Sequence, residues 1–240
     1  MRIEVTFTAA ELGNLPASGR TAVVIDVLRA TTTIVHALVN GARRVIPART
    51  VEEAVAKRME LGRDAALLCG ERDAQPIPGF DLGNSPVEFT RENVADHALI
   101  MTTTNGTPAL LAAGASHIAL IAAFVNVEAV AKRIVELDGD VLIACAGREG
   151  RFAMEDACCA GLLIHRVNVL RGRGVRTGDS GAAALALARA GTRDLPGTLR
   201  RTAAGRALRK LDRDADVAFC AQLNLHDVVP VFEQHRIELS

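Results

Sequence analysis

The residues of this sequence that could do chemistry fall in short polar clusters, each directly after an apolar run. Asp26 and Arg29 follow Val23-Val24-Ile25, and three hydroxyls, Thr31, Thr32 and Thr33, come next. Glu71 and Arg72 follow the run 65–69, and Thr102, Thr103, Thr104, Asn105 and Gly106 close the run 98–102. Gly147 and Arg148 follow the run 141–145, with Glu155 and Asp156 shortly after. Such clusters suit a small, multiply charged anion. Thr hydroxyls and free backbone N–H groups hydrogen-bond oxyanions, and an arginine fork grips phosphate, carboxylate or sulfonate at two points. The acids Asp26, Glu71, Glu155 and Asp156 could together hold Mg2+, which takes carboxylates, waters and phosphate oxygens. That ion would neutralise a phosphoryl group and help a water attack it. Each cluster also has a plainer reading: the threonines as helix caps, the acids as caps or ion-pair partners.

The elements that must position these groups alternate regularly. Strand patterns at 2–8, 21–26, 45–48, 65–69, 98–102, 117–122 and 141–145 are separated by helical patterns. The first of these helices runs past Leu38 and stops at Gly41; the second opens on a Thr50/Glu53 capping box and ends near Gly62. Pro108 is expected at the first position of a helix, Asn126 as the cap of the next, and a helix follows from about Glu155 to Val169. The segment 73–89 reads as a long loop rich in Pro, Gly, Asp and Asn, the kind that is usually functional or mobile. After Leu170 come a small-residue helix and the stretch TLRRTAAGRALRKL, and VVPVFEQHRIEL reads as one or two short strands.

Repeated strand–helix alternation implies an α/β fold with a mainly parallel or mixed sheet and right-handed crossovers, in three layers, α/β/α. Ligands of such sheets bind at the carboxyl ends of the strands, where the polar clusters fall. The chain reads as one domain over residues 1–240, with a candidate sub-lobe boundary near residue 170; two lobes with the site between them is the alternative arrangement.

Composition narrows the class. The chain has 240 residues, zero formal net charge and 49% hydrophobic residues, which reads as globular without a bias toward nucleic acid or membranes. Tyr and Trp are absent, which argues against a base-stacking platform. No apolar run is long enough for a transmembrane helix. The segment MRIEVTFTAAEL alternates like a strand rather than a signal peptide, and the five cysteines, an odd number, read as buried free thiols, so a cytoplasmic setting is expected. Residues 166–213 are rich in arginine against only three acids, Asp179, Asp194 and Asp212; this segment could cover the site, form a subunit contact in a homodimer, or bind nucleic acid.

Several signatures fail. No GxxxxGK[ST] occurs, the glycines of RGRGVRTG follow a helix rather than a strand, and Leu28 stands where an aspartyl-phosphate phosphatase would carry a second acid. One rival survives: Cys145 followed by Arg151 has the spacing of thiol phosphatases, in which a thiolate attacks phosphorus.

The ordered set IDVLRATTTIVHAL, GER, FDLGNSP, TTTNGTPAL and CAGREGRFAMEDACCAG, with a weaker DVAFCAQLNLHDVVPVF, resembles the 2-phosphosulfolactate phosphatase (ComB) family across essentially the whole chain. The resemblance implies a cytoplasmic, Mg2+-dependent hydrolase that cleaves the phosphate ester of a small 2-hydroxy acid, 3-sulfolactate on the route to coenzyme M. It implies catalytic and metal-binding roles among Asp26, Glu71, Glu155 and Asp156. Phosphate, carboxylate and sulfonate would be held by Arg29, Thr31–Thr33, Arg72, Gly83, Asn84, Ser85, Thr103, Thr104, Asn105, Gly106 and Gly147. Two positions depart from the family pattern, Met154 and Arg148, the latter where a small polar residue is common; Arg148 bears on how the site reads its second anion.

Overall fold

A computed structural model describes residues 1–12, 19–114, 116 and 118–239. Its strands are β1 (Arg2–Thr6), β2 (Thr21–Ile25), β3 (Arg44–Pro47), β4 (Ala66–Arg72), β5 (Gln75–Pro76), β6 (Ala98–Thr102), β7 (Ile118–Ala122), β8 (Val141–Cys145), β9 (Arg176–Thr177), β10 (Pro230–Glu233) and β11 (Arg236–Leu239). The helices are α1 (Ala9–Leu12), α2 (Ala30–Val39), α3 (Val51–Leu61), α4 (Arg91–Val94), α5 (Gly106–Ala113), α6 (Val127–Leu137), α7 (Met154–Arg171), α8 (Asp179–Gly191), α9 (Leu195–Arg201), α10 (Ala203–Lys210) and α11 (Asp214–Cys220). One mixed sheet runs β5-β4-β6-β3-β11-β10-β7-β2-β8-β1-β9.

Alternation along the central strands builds the layers. Val23 and Ile25 of β2, with Val141, Ile143 and Cys145 of β8, face α6, α7 and α8. Ala22 and Val24, with Leu142 and Ala144, face α2 and α5. Because both faces are covered, β2, β6 and β8 are buried throughout and, apart from Thr21 and Thr102 at strand ends, apolar rather than alternating with polar residues. Burying each Val, Ile or Leu contributes roughly 1.5–3 kcal/mol before chain entropy is counted. A third cluster, Ala48, Ala54, Leu68, Ala98 and Ile100, packs α3 against β4 and β6.

Two parallel sets make up the sheet: β9-β1-β8-β2-β7 and β3-β6-β4. The hairpin β10–β11 lies between them, antiparallel to β7 on one side and to β3 on the other. Three antiparallel steps therefore give the two sets opposite nominal directions. Sheet twist of about 20–25° per step turns them toward each other over the five steps from β2 to β6. The carboxyl ends of β2, β4, β6 and β8 consequently feed one pocket.

The structure corrects several boundaries. β4 runs on through Glu71 and Arg72 and turns into β5 through Asp73 and Ala74, both at positive φ, so these two residues are strand rather than turn. α5 starts at Gly106, which puts Pro108 two residues inside. Asn126 does not cap α6: its side chain binds Ala123 N–H and the carbonyls of Ile121 and Val228, and Asn224 Oδ1 accepts from Glu128 N–H instead. The stretch from 195 to 210 is two helices, broken at Thr202, whose hydroxyl accepts from Gly205 N–H. His117, expected to open β7, lies outside the described residues.

Candidate active site

The turn after β2 supplies Asp26, and its geometry follows from local hydrogen bonding. Ala30 N–H donates to Asp26 Oδ1 (3.2 Å), so the carboxylate caps α2 from its own turn. The three threonines that follow are fully buried and point back at the backbone. Thr31 Oγ1 donates to Asp26 O (2.8 Å), Thr32 Oγ1 to Val27 O (2.9 Å) and Thr33 Oγ1 to Asn84 O (3.1 Å). They shape the turn and do not line the pocket. Thr103 and Thr107 bond each other reciprocally at the start of α5: Thr103 N–H donates to Thr107 Oγ1 (2.9 Å) and Thr107 N–H to Thr103 Oγ1 (3.0 Å).

Asp156 and Glu71 are each held by two backbone N–H groups. Val27 N–H and Gly147 N–H donate to the two oxygens of Asp156, at 2.9 and 3.1 Å. This joins the β2 turn, the β8 turn and the first turn of α7. Ala74 N–H and Thr104 N–H donate to the two oxygens of Glu71, at 2.7 and 2.8 Å, and join β4 to the turn after β6. The strand-end amides expected to grip a substrate anion are thus taken by the protein's own carboxylates. Gly106 brings α5 against the β2 turn: a Cβ there would lie 2.5 Å from Ala30 Cβ and 2.8 Å from Asp26 Oδ2. Gly147 has φ +69, and a Cβ there would meet Arg151 O at 2.5 Å, so its turn demands glycine.

Asp26, Glu71, Ala74, Thr104, Gly147, Glu155 and Asp156 line a cavity of about 120 Å3 together with Leu28, Arg29, Asp73, Asn84, Asn105, Arg148, Glu149 and, from α10, Ala204, Ala207 and Leu208. Six carboxyl groups, Asp26, Glu71, Asp73, Glu149, Glu155 and Asp156, face two arginines. Burial, opposed by the Ala30 hydrogen bond and reinforced by Glu71 and Glu155, raises Asp26 to about 7. Burial, then the charges of Asp26 and Glu155, pushes Asp156 well above the usual carboxylate range. Burial raises Glu155 as well.

Arg29 is in the wall, but its charge is already matched. Its Nη1 donates to Asp216 Oδ2 of α11 (2.6 Å) and its Nη2 to Ala74 O (2.9 Å). Ser85 Oγ donates to the other oxygen of Asp216 (2.5 Å). Asp216 is the functional neighbour that reading the sequence missed; the only signal was its place at the head of DVAFCAQ. Arg72 turns away to Thr102 Oγ1 (3.0 Å) and Glu71 O (2.8 Å), and Arg72, Ser85, Thr103 and Gly106 stand behind the wall rather than in it.

Cys145 lies in the core beneath the pocket, and burial drives its thiol well above its ordinary value, the reverse of what a nucleophilic thiolate needs. Arg151 pairs through its backbone with Arg148 and does not reach the pocket wall. Several arginines of the 166–213 segment pair with acids of this chain: Arg166 with Glu128 (2.5 Å), Arg171 with Asp138 (2.8 Å), Arg200 and Arg209 with Asp214 (3.1 and 3.2 Å). Among the described residues no helix is long and apolar enough to cross a membrane.

The donor set fits a hard divalent cation. It is all oxygen, the acids repel one another, and Asn84 Oδ1 in the same wall is buried without a hydrogen-bond partner. Among the described residues no three His, Cys, Asp or Glu side chains form a ready-made metal cluster. Mg2+ does not require one, since it keeps several waters and uses one or two carboxylates with substrate phosphate.

Fold and pocket together define an α/β protein that gathers carboxyls from strand ends and the start of α7 into one pocket. The model of one family, described as 2-phosphosulpholactate phosphatase, matches residues 7–235, and the chain belongs to that family of phosphoric monoester hydrolases. Among curated proteins it is 35% identical to a probable 2-phosphosulfolactate phosphatase of Clostridium beijerinckii over 237 residues, covering 99% of each chain. It is 40% identical to a protein of the same name from Symbiobacterium thermophilum over 222 residues, 92% of this chain and 95% of that one.

Proposed function

We propose that this chain is a Mg2+-dependent phosphatase that hydrolyses 2-phospho-3-sulfolactate to 3-sulfolactate and phosphate. The names of its relatives support the substrate. The observation that carries the reading is the acid-walled pocket: six carboxyls against two arginines, with Asn84 Oδ1 unpartnered among them, form an oxygen donor set suited to a cation shared with the substrate anion. Glu71 and Asp156, with Asn84 Oδ1 beside them, are the groups that would hold it, which leaves Asp26 and Glu155 for proton transfer. Bound there, Mg2+ supplies positive charge against the phosphoryl oxygens and makes a water more acidic.

The chain's own residues do the rest. Glu71 and Asp156 are oriented in advance by two N–H donors each, so they need not reorganise when the ester arrives. Asp26, fixed through Oδ1, keeps Oδ2 free and is raised to about 7, suited to accept the proton of the attacking water. Water adds to phosphorus, the bond from phosphorus to the ester oxygen breaks, and that oxygen takes a proton to become the 2-hydroxyl. Glu155, held toward its protonated form by burial, is the donor in the pocket. The apolar wall of Ala204, Ala207 and Leu208 excludes water from one side.

The test is phosphate release from 2-phospho-3-sulfolactate, 2-phospholactate and an aryl phosphate, with Mg2+ and with EDTA. Release from the first that EDTA abolishes and Mg2+ restores is expected. Absence of metal-dependent release from all three overturns the reading.

A further inference from the structure

We propose that Arg148 reads the sulfonate of the substrate and so sets this chain's selectivity among phosphorylated 2-hydroxy acids; the inference rests on the function proposed above. The pocket wall has two arginines, and only one has charge to spare. Arg29, 4% exposed, is locked between Asp216 and Ala74 O. Arg148 has a single ion-pair partner, Glu149, at 3.3 Å, and with the two side chains 35% and 66% exposed that pair is a surface contact a ligand anion can replace.

The mounting of Arg148 is that of a binding residue rather than a loose surface cation. Arg148 N–H donates to Arg151 O (2.8 Å) and Arg151 N–H to Arg148 O (2.9 Å), closing a tight turn. The two central residues, Glu149 and Gly150, have φ +52 and +71, as a primed two-residue turn requires. Glu149 N–H then donates to Asn105 Oδ1 (2.8 Å), which fastens this turn to the one after β6. Arg148 therefore stands at a fixed place on the half-exposed rim, near enough to Glu155 for its charge to draw that carboxyl down against burial.

The other walls offer the second anion no cation that lacks a buried counter-ion. Six carboxyls line the interior with Asn84, Thr104 and Asn105, and the α10 wall is Ala204, Ala207 and Leu208. With the phosphate among the buried acids, the group reaching the rim is the one farther from phosphorus. In 2-phospho-3-sulfolactate that is the sulfonate, whose sulfur is one bond farther along the chain than the carboxylate carbon. A guanidinium fork matches its oxygens.

The experiment compares wild type with Arg148→Gln and Arg148→Lys on 2-phospho-3-sulfolactate and 2-phospholactate, which lacks the sulfonate. In Arg148→Gln the ratio of kcat/KM for the first ester over the second falls by about ten-fold or more, chiefly through KM, and Arg148→Lys recovers part of it. The turn is half-exposed, so thermal unfolding of both variants matches wild type. A ratio within about two-fold of wild type overturns the assignment. Wild-type protein inactive on both esters overturns the function itself, a distinguishable result.

Discussion

Asp26, Glu155 and Asp156 in the pocket are held against their own ionisation, and His36 of α2 is held against its own protonation. Asp26 is raised from 3.8 to about 7 by burial, with Glu71 and Glu155 adding to it. The folded protein thus keeps a proton that the unfolded chain releases. That contribution to stability is full below about pH 4 and is lost as pH rises through about 7. His36 is lowered from 6.5 to about 4 by burial and then by His226, whose Nε2 lies 3.1 Å from its Nδ1. Its contribution has the other sign, present above about 6.5 and lost as pH falls toward 4. The two oppose each other in one window, so variants separate them. For metal-free protein, the stability of wild type relative to Asp26→Asn should decline between pH 4 and pH 7, and the stability relative to His36→Gln should rise over the same interval. Chemical denaturation at each pH measures both. Asp26→Asn should also lower kcat by about 10²–10⁴-fold while the protein stays folded.

Short helices close the pocket at the scale of elements. α9, α10 and α11 each have seven or eight residues, barely two turns, and would not persist alone. α11 is held by side-chain bonds to distant elements: Asp216 to Arg29 and Ser85, and Arg213, just before it, to Glu88 at 2.7 Å. The Asp216–Arg29 pair is the strongest of these on physical grounds, because both groups are almost fully buried, 1% and 4% exposed. Asp216→Ala leaves the Arg29 charge buried without a counter-ion, and the expected loss is about 3–5 kcal/mol, read from urea unfolding. Arg29→Ala combined with Asp216→Ala should cost less than the sum of the two single changes. None of this pairing was legible in advance. Helices this short carry too little period to read, and Asp216 meets a partner 187 positions away.

For the whole molecule, the decisive arrangement is the C-terminal hairpin at the middle of the sheet. β10 pairs with β7 and β11 with β3, so residues 230–239 join the two parallel sets. Ending the chain at Val229 would open two central strand edges, on β7 and β3, and remove Phe232 and Ile237 from the core they help to fill. The truncated protein should show no cooperative unfolding transition and should aggregate, which circular dichroism and size-exclusion chromatography would reveal.

The sequence by itself determined the alternation of strand and helix, the acids and glycines at strand ends, and the family resemblance. These depend on period, turn chemistry and motif order, which neighbouring residues carry. Only the tertiary structure decided that the amides at those strand ends serve Glu71 and Asp156, and that Arg29 is cancelled by Asp216 while Arg148 is left available. It also decided that two oppositely running strand sets, turned by sheet twist around a C-terminal hairpin, deliver their ends to one pocket. Those outcomes rest on pairings between residues far apart in the chain and on burial that sets their charge, and neither is present in any local stretch.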